Sequence, residues 1–366
     1  MALRTGIVGL PNVGKSSLFN ALSSAGALAA NYPFATVDPN VARVPVPDPR
    51  LNVLAGIEGS LDIVPTTLDL VDIAGLVRGA SRGEGLGNQF LGHIRSVDAI
   101  LHVLRCFGDS DVVHVEGGID PVRDFELIET ELQLADLEVV ERRIEKSRRQ
   151  AKSGDKAMIA EVAQLETLAA ALQQGESLRR LTAEQTELEP LSRELGLLTA
   201  KPMVLIANVD EDAVGEGDAA VPSGLPDLAQ SLGVEVIPVS ARVESEIAGL
   251  DPEERGEFLE ALGLAERGLD RVIRAGYRLL DLRTYFTVGE KEARAWTVPA
   301  GTAAPQAAGV IHSDFERGFI RAEVVAYDDF VACRGWAGAR DAGKLRSEGR
   351  DYIVQEGDVC LFRFNV

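Results

Sequence analysis

The sequence predicts an α/β fold: a mostly parallel sheet, covered on both faces by helices, that carries a phosphate-binding loop. Three observations predict it. Residues 9–16, Gly-Leu-Pro-Asn-Val-Gly-Lys-Ser, fit the pattern of two glycines bracketing four residues and followed by Lys and Ser. Short apolar runs at 5–8, 99–107, 202–209 and 234–240 read as buried strands and alternate with helical stretches. A further apolar run from residue 66 ends in Asp72-Ile73-Ala74-Gly75, an Asp-x-x-Gly at a strand end.

The loop comes first. Gly9 and Gly14 let the backbone bend close to a polyphosphate, so that successive N–H groups point at its oxygens. Lys15 sets an ammonium on the β- and γ-phosphates, and the Ser16 hydroxyl ligates the accompanying Mg²⁺. A helix opening at Ser17, with Leu18, Phe19, Ala21 and Leu22 apolar, adds the positive end of its dipole. Asn12, Val13, Gly14, Lys15, Ser16 and Ser17 are therefore the expected phosphate-binding residues.

Residues 31–40 form a Pro- and Asn-containing loop, followed by an alternating strand at 41–46. At this distance from a phosphate loop it reads as switch I, with Thr36 completing the Mg²⁺ shell when a γ-phosphate is present. Asp72 then holds the Mg²⁺ through water, and Gly75 gives its backbone N–H to the γ-phosphate. Lys15, Thr36 and Gly75 are the expected catalytic residues; Ser16, Thr36 and Asp72 are the expected metal ligands. The glycine-rich stretch 78–88 is too poor in helix formers for a stable helix and reads as switch II.

Two later strands end in Asn208-Val209-Asp210-Glu211 and Ser240-Ala241-Arg242, where a guanine-specific enzyme carries Asn-Lys-x-Asp and Ser-Ala-Lys. Guanine needs a short acidic acceptor for N1–H and N2–H₂ and a Lys stem stacked on the ring. Here Val209 replaces the Lys and the longer Glu211 the Asp. Asn208 can accept from adenine N6–H₂ and donate to N7. The reading favours ATP over GTP, with Asn208, Val209, Glu211, Ser240 and Ala241 as base-binding residues.

Between these strands, residues 127–144 and 158–172 carry apolar positions at helical spacing around a turn at Ser153-Gly154-Asp155. This is an αα-hairpin inserted over 121–198, a coiled-coil arm. Arg142, Arg143, Lys146, Arg148, Arg149, Lys152 and Lys156 gather towards its tip, as a contact for an RNA backbone or as a solvated helix face. From about Asp281 the chain changes to short strands around one helical stretch, a compact α+β module.

The whole-chain figures bound the function. The chain has 366 residues, enough for two or three domains, and a net charge of −20, which argues against general nucleic-acid coating. Cys106, Cys333 and Cys360 and the four histidines are scattered, without metal-ligand spacing. No apolar run approaches the ~18 residues of a membrane span. The expected protein is cytoplasmic, and nothing in the sequence demands more than a monomer.

Together, the segments at 9–16, 31–36 (Asn-Tyr-Pro-Phe-Ala-Thr), 72–76 (Asp-Ile-Ala-Gly-Leu), 85–88 (Gly-Leu-Gly-Asn), 208–211 and 294–296 (Arg-Ala-Trp) resemble the YchF/Obg-like ATPase family. So do Ala-Pro-Gln-Ala-Ala-Gly at 304–309, His312 to Phe315, Arg-Asp-Tyr-Ile-Val at 350–354 and the final Phe-Asn-Val. The resemblance implies a P-loop NTPase with a Ras-like, OBG-type G domain over 1–280, interrupted by the helical arm at 121–198. A β-grasp TGS domain follows over 281–366. It also implies ATP hydrolysis, often in preference to GTP, and association with the ribosome, its 50S subunit or rRNA through the arm and the TGS domain. Ala35 stands where many relatives carry Cys, and Ser81 where some carry His, so redox control at 35 and a catalytic His at 81 are not carried over.

Leu76 occupies the position from which a Gln orients the attacking water in Ras-type enzymes. Hydrolysis is therefore expected to be slow until a partner completes the site. In related enzymes with an apolar residue there, a phosphate-loop Asn ligates K⁺; Asn12 is that candidate here, or a brace of the loop. Three classes of function are open: a switch ATPase on the ribosome (or its GTP-specific equivalent), a phosphotransferase, and a nucleotide-binding scaffold. The two switches and the C-terminal module favour the first.

Overall fold

A computed structural model describes residues 3–29, 40–73, 86–108 and 117–365. Thr36, Gly75 and Leu76 lie outside the described residues, as do most of the two expected switch segments. The chain forms two compact units, one of Met1–Val44 and Asp69–Gly276, the other of Pro45–Leu68 and Tyr277–Val366.

In chain order the first elements are β1 (Arg4–Val8), α1 (Lys15–Ala29), β2 (Val41–Pro45), α2 (Pro49–Glu58), β3 (Asp62–Val64) and β4 (Thr67–Asp72). Then come α3 (Leu86–Arg95), β5 (Ala99–Cys106), the 31-residue α4 (Pro121–Ala151), α5 (Lys156–Gln174), α6 (Leu178–Glu184) and α7 (Glu189–Leu195). They are followed by β6 (Met203–Val209), α8 (Leu225–Leu232), β7 (Val236–Val239), α9 (Ala241–Gly249), α10 (Pro252–Ala261) and α11 (Gly268–Leu279).

The first unit is organised by a sheet of order β2-β4-β1-β5-β6-β7. Its pairs β1/β4, β1/β5, β5/β6 and β6/β7 are parallel. β5 and β6 are mostly Val, Ile, Leu and Ala buried on both faces, as a helix-covered parallel sheet demands; all seven residues of β6 are buried. β2 closes the edge antiparallel to β4, with Asp72 N donating to Asn40 O and Val46 N to Thr66 O. The chain leaves β1 towards one edge and later resumes on its other side at β5. Ligands bind outside the strand ends at such a reversal.

The arm is the helical hairpin its periodicity predicts, with more at its base. Asp120 caps α4 by accepting from Arg123 N, and Pro121 opens the helix where its missing N–H costs nothing. Gly175 (φ 73°) ends α5 in the left-handed conformation. The small helices α6 and α7 close over Val140, Ile144, Leu165, Leu168 and Leu172, so the arm has its own core. Among the described residues, Arg142 pairs with Glu138, Arg143 with Glu161 and Glu194, Arg148 with Glu166 and Arg149 with Glu145. The arginines that the sequence offers as phosphate contacts thus neutralise carboxylates of the arm itself.

The second unit adds β8 (Leu282–Val288), β9 (Glu292–Pro299), α12 (Ala304–Ile311), α13 (Ser313–Arg317), β10 (Phe319–Ala326), α14 (Tyr327–Ala332), α15 (Trp336–Asp341), β11 (Arg346–Glu348) and β12 (Asp358–Phe364). Its sheet runs β11-β10-β12-β8-β9-β3, with the first and last long strands, β8 and β12, parallel neighbours at its centre. Hairpin β8–β9 and α12 on one face complete the expected β-grasp arrangement; Tyr285 Oη donates to Ala307 O beneath that helix. The opposite face is covered by α2, whose Leu51, Leu54 and Ala55 pack on Phe286, Ala293, Val325 and Phe330. Arg50 reaches Asp48 and Glu356, and Glu356 accepts from Thr284 N. Residues 45–68, read from the sequence as part of a domain over 1–280, thus pack with the C-terminal module. Among the described residues no helix is long and apolar enough to cross a membrane.

Polar groups buried at the base of the arm yield two expectations. Arg179 makes a bidentate pair with Glu129 (2.8 and 3.1 Å) and donates from Nε to Lys201 O (2.9 Å), all out of solvent. Arg179→Ala leaves Glu129 buried and unpaired. It should lower unfolding stability by about 3 kcal/mol in urea titrations; a loss near zero would mean that water enters the pair. Asp136 accepts from Leu198 N, Thr199 N and Thr199 Oγ1, while burial pushes its carboxyl up to about 6, against an ordinary 3.8. A carboxyl raised on folding stabilises most below its unfolded pKa and loses that contribution as pH rises through the folded one. The stability advantage of the native chain over Asp136→Asn should therefore shrink between pH 4 and pH 7, measured by denaturation across that range.

Candidate functional site

The phosphate loop hangs from the end of β1. Its backbone runs so close to β5 that a Cβ on Gly9 would lie 2.4 Å from Val103 O. Asn12 holds a left-handed φ of 63°, which Asn tolerates better than most side chains. Gly14 has φ +94°, and a Cβ there would lie 2.2 Å from Asn208 Nδ2. Both glycines are thus required by space. α1 starts at Lys15, so the N-terminal N–H groups of that helix face the loop, and Ser16 and Ser17 stand exposed on its first turn.

Lys15 is buried and folds back to donate from Nζ to Leu10 O at 2.6 Å. Burial pulls its ammonium down to about 8, with the negative charge of Asp72 opposing the fall. Asp72 aligns with Ile7 in the β1/β4 ladder, which brings the end of β4 beside the start of the loop. Desolvation raises its carboxyl, Lys15 lowers it, and its Oδ1 is buried with no hydrogen-bond partner among the described residues.

These groups fit a Mg²⁺-nucleotide. An orphaned carboxylate oxygen and the Ser16 hydroxyl are hard oxygen ligands, and no cluster of three or more His, Cys, Asp or Glu suited to a metal exists among the described residues. One carboxylate plus phosphate and water oxygens is the usual provision for Mg²⁺, which dehydrates reluctantly.

Across the loop lie the ends of β6 and β7. Asn208 is buried; its Nδ2 donates to Val13 O (2.9 Å) and its Oδ1 accepts from Ala241 N (2.9 Å). One side chain thereby ties the phosphate loop, β6 and the start of α9 together. One amide hydrogen and one lone pair are left for a base. Val209 is buried in β6, and Ser240 and Ala241 are buried at the start of α9. Glu211 is half-exposed and pairs with Arg242.

Three residues to which the motifs assign no role support these elements. The Asp210 carboxylate accepts from Gly108 N (3.2 and 3.1 Å) and fixes the exit of β5. Behind α9, buried Glu244 accepts from Arg267 Nε and Leu269 N, locking that helix to the start of α11. Buried His102, on β5, is pushed down to about 3 by desolvation and by the charges of Arg179 and Lys15, and so is neutral. Nothing local distinguishes these from ordinary turn, helix or strand residues.

A family model described as a 50S ribosome-binding GTPase matches residues 4–140, and the YchF-GTPase_C model, described as a protein of unknown function, matches residues 282–365. The "Ribosome-binding ATPase YchF" of Haemophilus ducreyi is 55% identical over 366 residues, covering 100% of both chains. The chain belongs to the YchF family. Its Bacillus subtilis relative of the same name is 53% identical, again across the full length of both chains. The solved structure of the Schizosaccharomyces pombe YchF GTPase is 39% identical and superposes with a TM-score of 0.88, covering 99% of this chain and 97% of that one.

The Asn208 tie has a measurable signature. Asn208→Ala strands Val13 O and Ala241 N and frees the loop from α9. It should weaken ATP and GTP analogues alike, by about tenfold or more, in calorimetric titrations. Loss of one nucleotide with the other unchanged would show instead that Asn208 acts mainly on the base.

Proposed function

We propose that this chain is a Mg²⁺-dependent switch ATPase of the cytoplasm, preferring ATP to GTP, that acts as a monomer on the 50S subunit of the ribosome. As a YchF-family member it is a P-loop nucleoside-triphosphate hydrolase. The observation that carries the site is buried Lys15, at the head of α1 and within the charge influence of Asp72, whose Oδ1 is buried without a hydrogen-bond partner among the described residues.

In this reading Lys15 exchanges Leu10 O for the β- and γ-phosphates, while the loop N–H groups and the start of α1 hold the remaining oxygens. Ser16, Thr36 and, through water, Asp72 would hold the Mg²⁺, which would supply neutralisation of charge on the β- and γ-oxygens. Gly75 orients the γ-phosphate through its N–H. Leu76 can neither donate to water nor accept from it, so turnover waits on a partner. Asn12 is the proposed ligand of a K⁺ at the place where an arginine finger would act.

The base preference rests on buried Val209, which leaves no Lys stem for the ring, and on Asn208 and Glu211. Ser240 and Ala241 complete the base edge. The ribosomal target rests on relatives named ribosome-binding ATPases. With the arm arginines paired, Lys146, Lys152 and Lys156 around the tip, together with the TGS domain, are the proposed rRNA contacts.

A second reading, a GTPase, is favoured by the name of the fission yeast relative. Titration with non-hydrolysable ATP and GTP analogues plus Mg²⁺ separates the two: tighter ATP binding supports the first, tighter GTP binding overturns it. Lys15→Ala should abolish nucleotide binding and turnover, and wild-type hydrolysis in that variant would overturn the site assignment. Exchanging K⁺ for Na⁺ should slow turnover severalfold; equal rates in both salts remove the K⁺ role.

A further inference from the structure

The two base loops are joined by an ion pair between side chains that neither motif predicts to meet. Glu211 follows β6, and Arg242 is the second residue of α9. Arg242 Nη1 lies 2.8 Å from Glu211 Oε1, with the side chains 73% and 43% exposed. That exposure places the pair at the lip of the site, where either partner can be changed without opening the core. Beside it, the Ala241 N–H is already committed to Asn208 Oδ1.

The chemistry of the bases gives this arrangement a meaning. Guanine presents N1–H and N2–H₂ as donors and O6 and N7 as acceptors; adenine presents the N6–H₂ donor with N1 and N7 as acceptors. A guanine reader therefore needs a free anionic acceptor and a free donor at this lip. Here a guanidinium holds Oε1 of the acid, so both oxygens cannot turn together to guanine N1–H and N2–H₂, and the donor is taken by an amide. The guanidinium has donors only, so it meets the N1–H edge of guanine donor to donor, whereas adenine N1 faces it without conflict.

We propose that Arg242 is a specificity-determining residue, acting through position: by holding the Glu211 carboxylate it withholds from guanine the acceptor for N1–H and N2–H₂. The inference rests on the base-binding role of the 208–211 loop proposed above, and it adds to that loop a residue from the other. Because the pair is solvent-exposed, salt weakens it. The discrimination it supplies is therefore sensitive to ionic strength.

The test uses the full chain and calorimetric titration with non-hydrolysable ATP and GTP analogues plus Mg²⁺, read as the ratio of the two affinities. Contacts to the shared triphosphate cancel in that ratio. R242A should raise GTP affinity relative to ATP by about tenfold, the scale of one bidentate base contact. R242K, which keeps a cation beside Glu211, should stay close to the wild-type ratio. Adding E211Q to R242A should return the ratio towards wild type, because the anionic two-oxygen acceptor that takes N1–H and N2–H₂ together is then replaced by one carbonyl oxygen and an NH₂ donor. In the wild type the ratio should move towards GTP as salt rises, and in R242A it should not. An unchanged ratio in R242A, a shift that survives E211Q, or equal weakening of both nucleotides overturns the proposal. Far-UV circular dichroism and matched melting midpoints establish that each variant is folded. A wild type that prefers GTP would overturn the ATP reading alone, since the change on removing Arg242 is read whichever nucleotide binds better.

Discussion

The nucleotide end of the sheet depends on the Asn208 amide. A phosphate loop works only if its N–H groups are held inward before the ligand arrives, and a chain passing through left-handed φ at Asn12 and Gly14 does not hold itself. Asn208 supplies the restraint from outside, donating to Val13 O and accepting from Ala241 N. The contact is close enough that Gly14 has to lack a side chain. Each part thus requires the others: the glycine admits the amide, the amide fixes the loop, and the loop sets Lys15 at the head of α1.

The charges inside that frame are held under tension. Lys15 and Asp72 both sit where desolvation opposes their charge, and each partly relieves the other. An ammonium donating to a carbonyl and a carboxylate oxygen without a partner are poor uses of buried charge. They suit a polyanion that arrives with a divalent cation, which supplies to each group what it lacks.

The fold class was legible because it rests on local signals: apolar strands of the right length, a glycine pattern and a 3.6-residue period in the arm. The residues of the phosphate loop were legible for the same reason, since they are consecutive. What escaped was whatever depends on a distant partner. The apolar positions of α2 at 51, 54 and 55 look like those of any connecting helix, and only the tertiary fold decides that they cover Phe286 and Phe330. The arm arginines look like a basic patch because their acids lie one turn away or on a neighbouring helix, at Glu161, Glu166 and Glu194. Glu211 and Arg242 were both visible at the ends of their motifs. Their meeting was not, because 31 residues separate them in the sequence.

The position of β6 shows how the arm and the nucleotide loop share one support. Its last residues carry Asn208 and the base loop. Two residues before its first, Lys201 donates to Val97 O and Arg95 O, where α3 ends, while its own carbonyl accepts from Arg179. Two residues earlier, Thr199 is held by Asp136 of α4. The arm is therefore fastened to one end of a fully buried strand and the phosphate loop to the other. A seven-residue strand packed on both faces does not stretch or bend cheaply. A change of nucleotide state has three routes to the arm: β6 moving as a rigid piece, β5, whose His102 packs on Phe125 of α4, and α3, which begins inside the expected switch II segment. β6 is held by complete ladders to β5 and β7, and α3 by buried Phe90, Leu91 and Ile94 together with Lys201 at Arg95 and Val97.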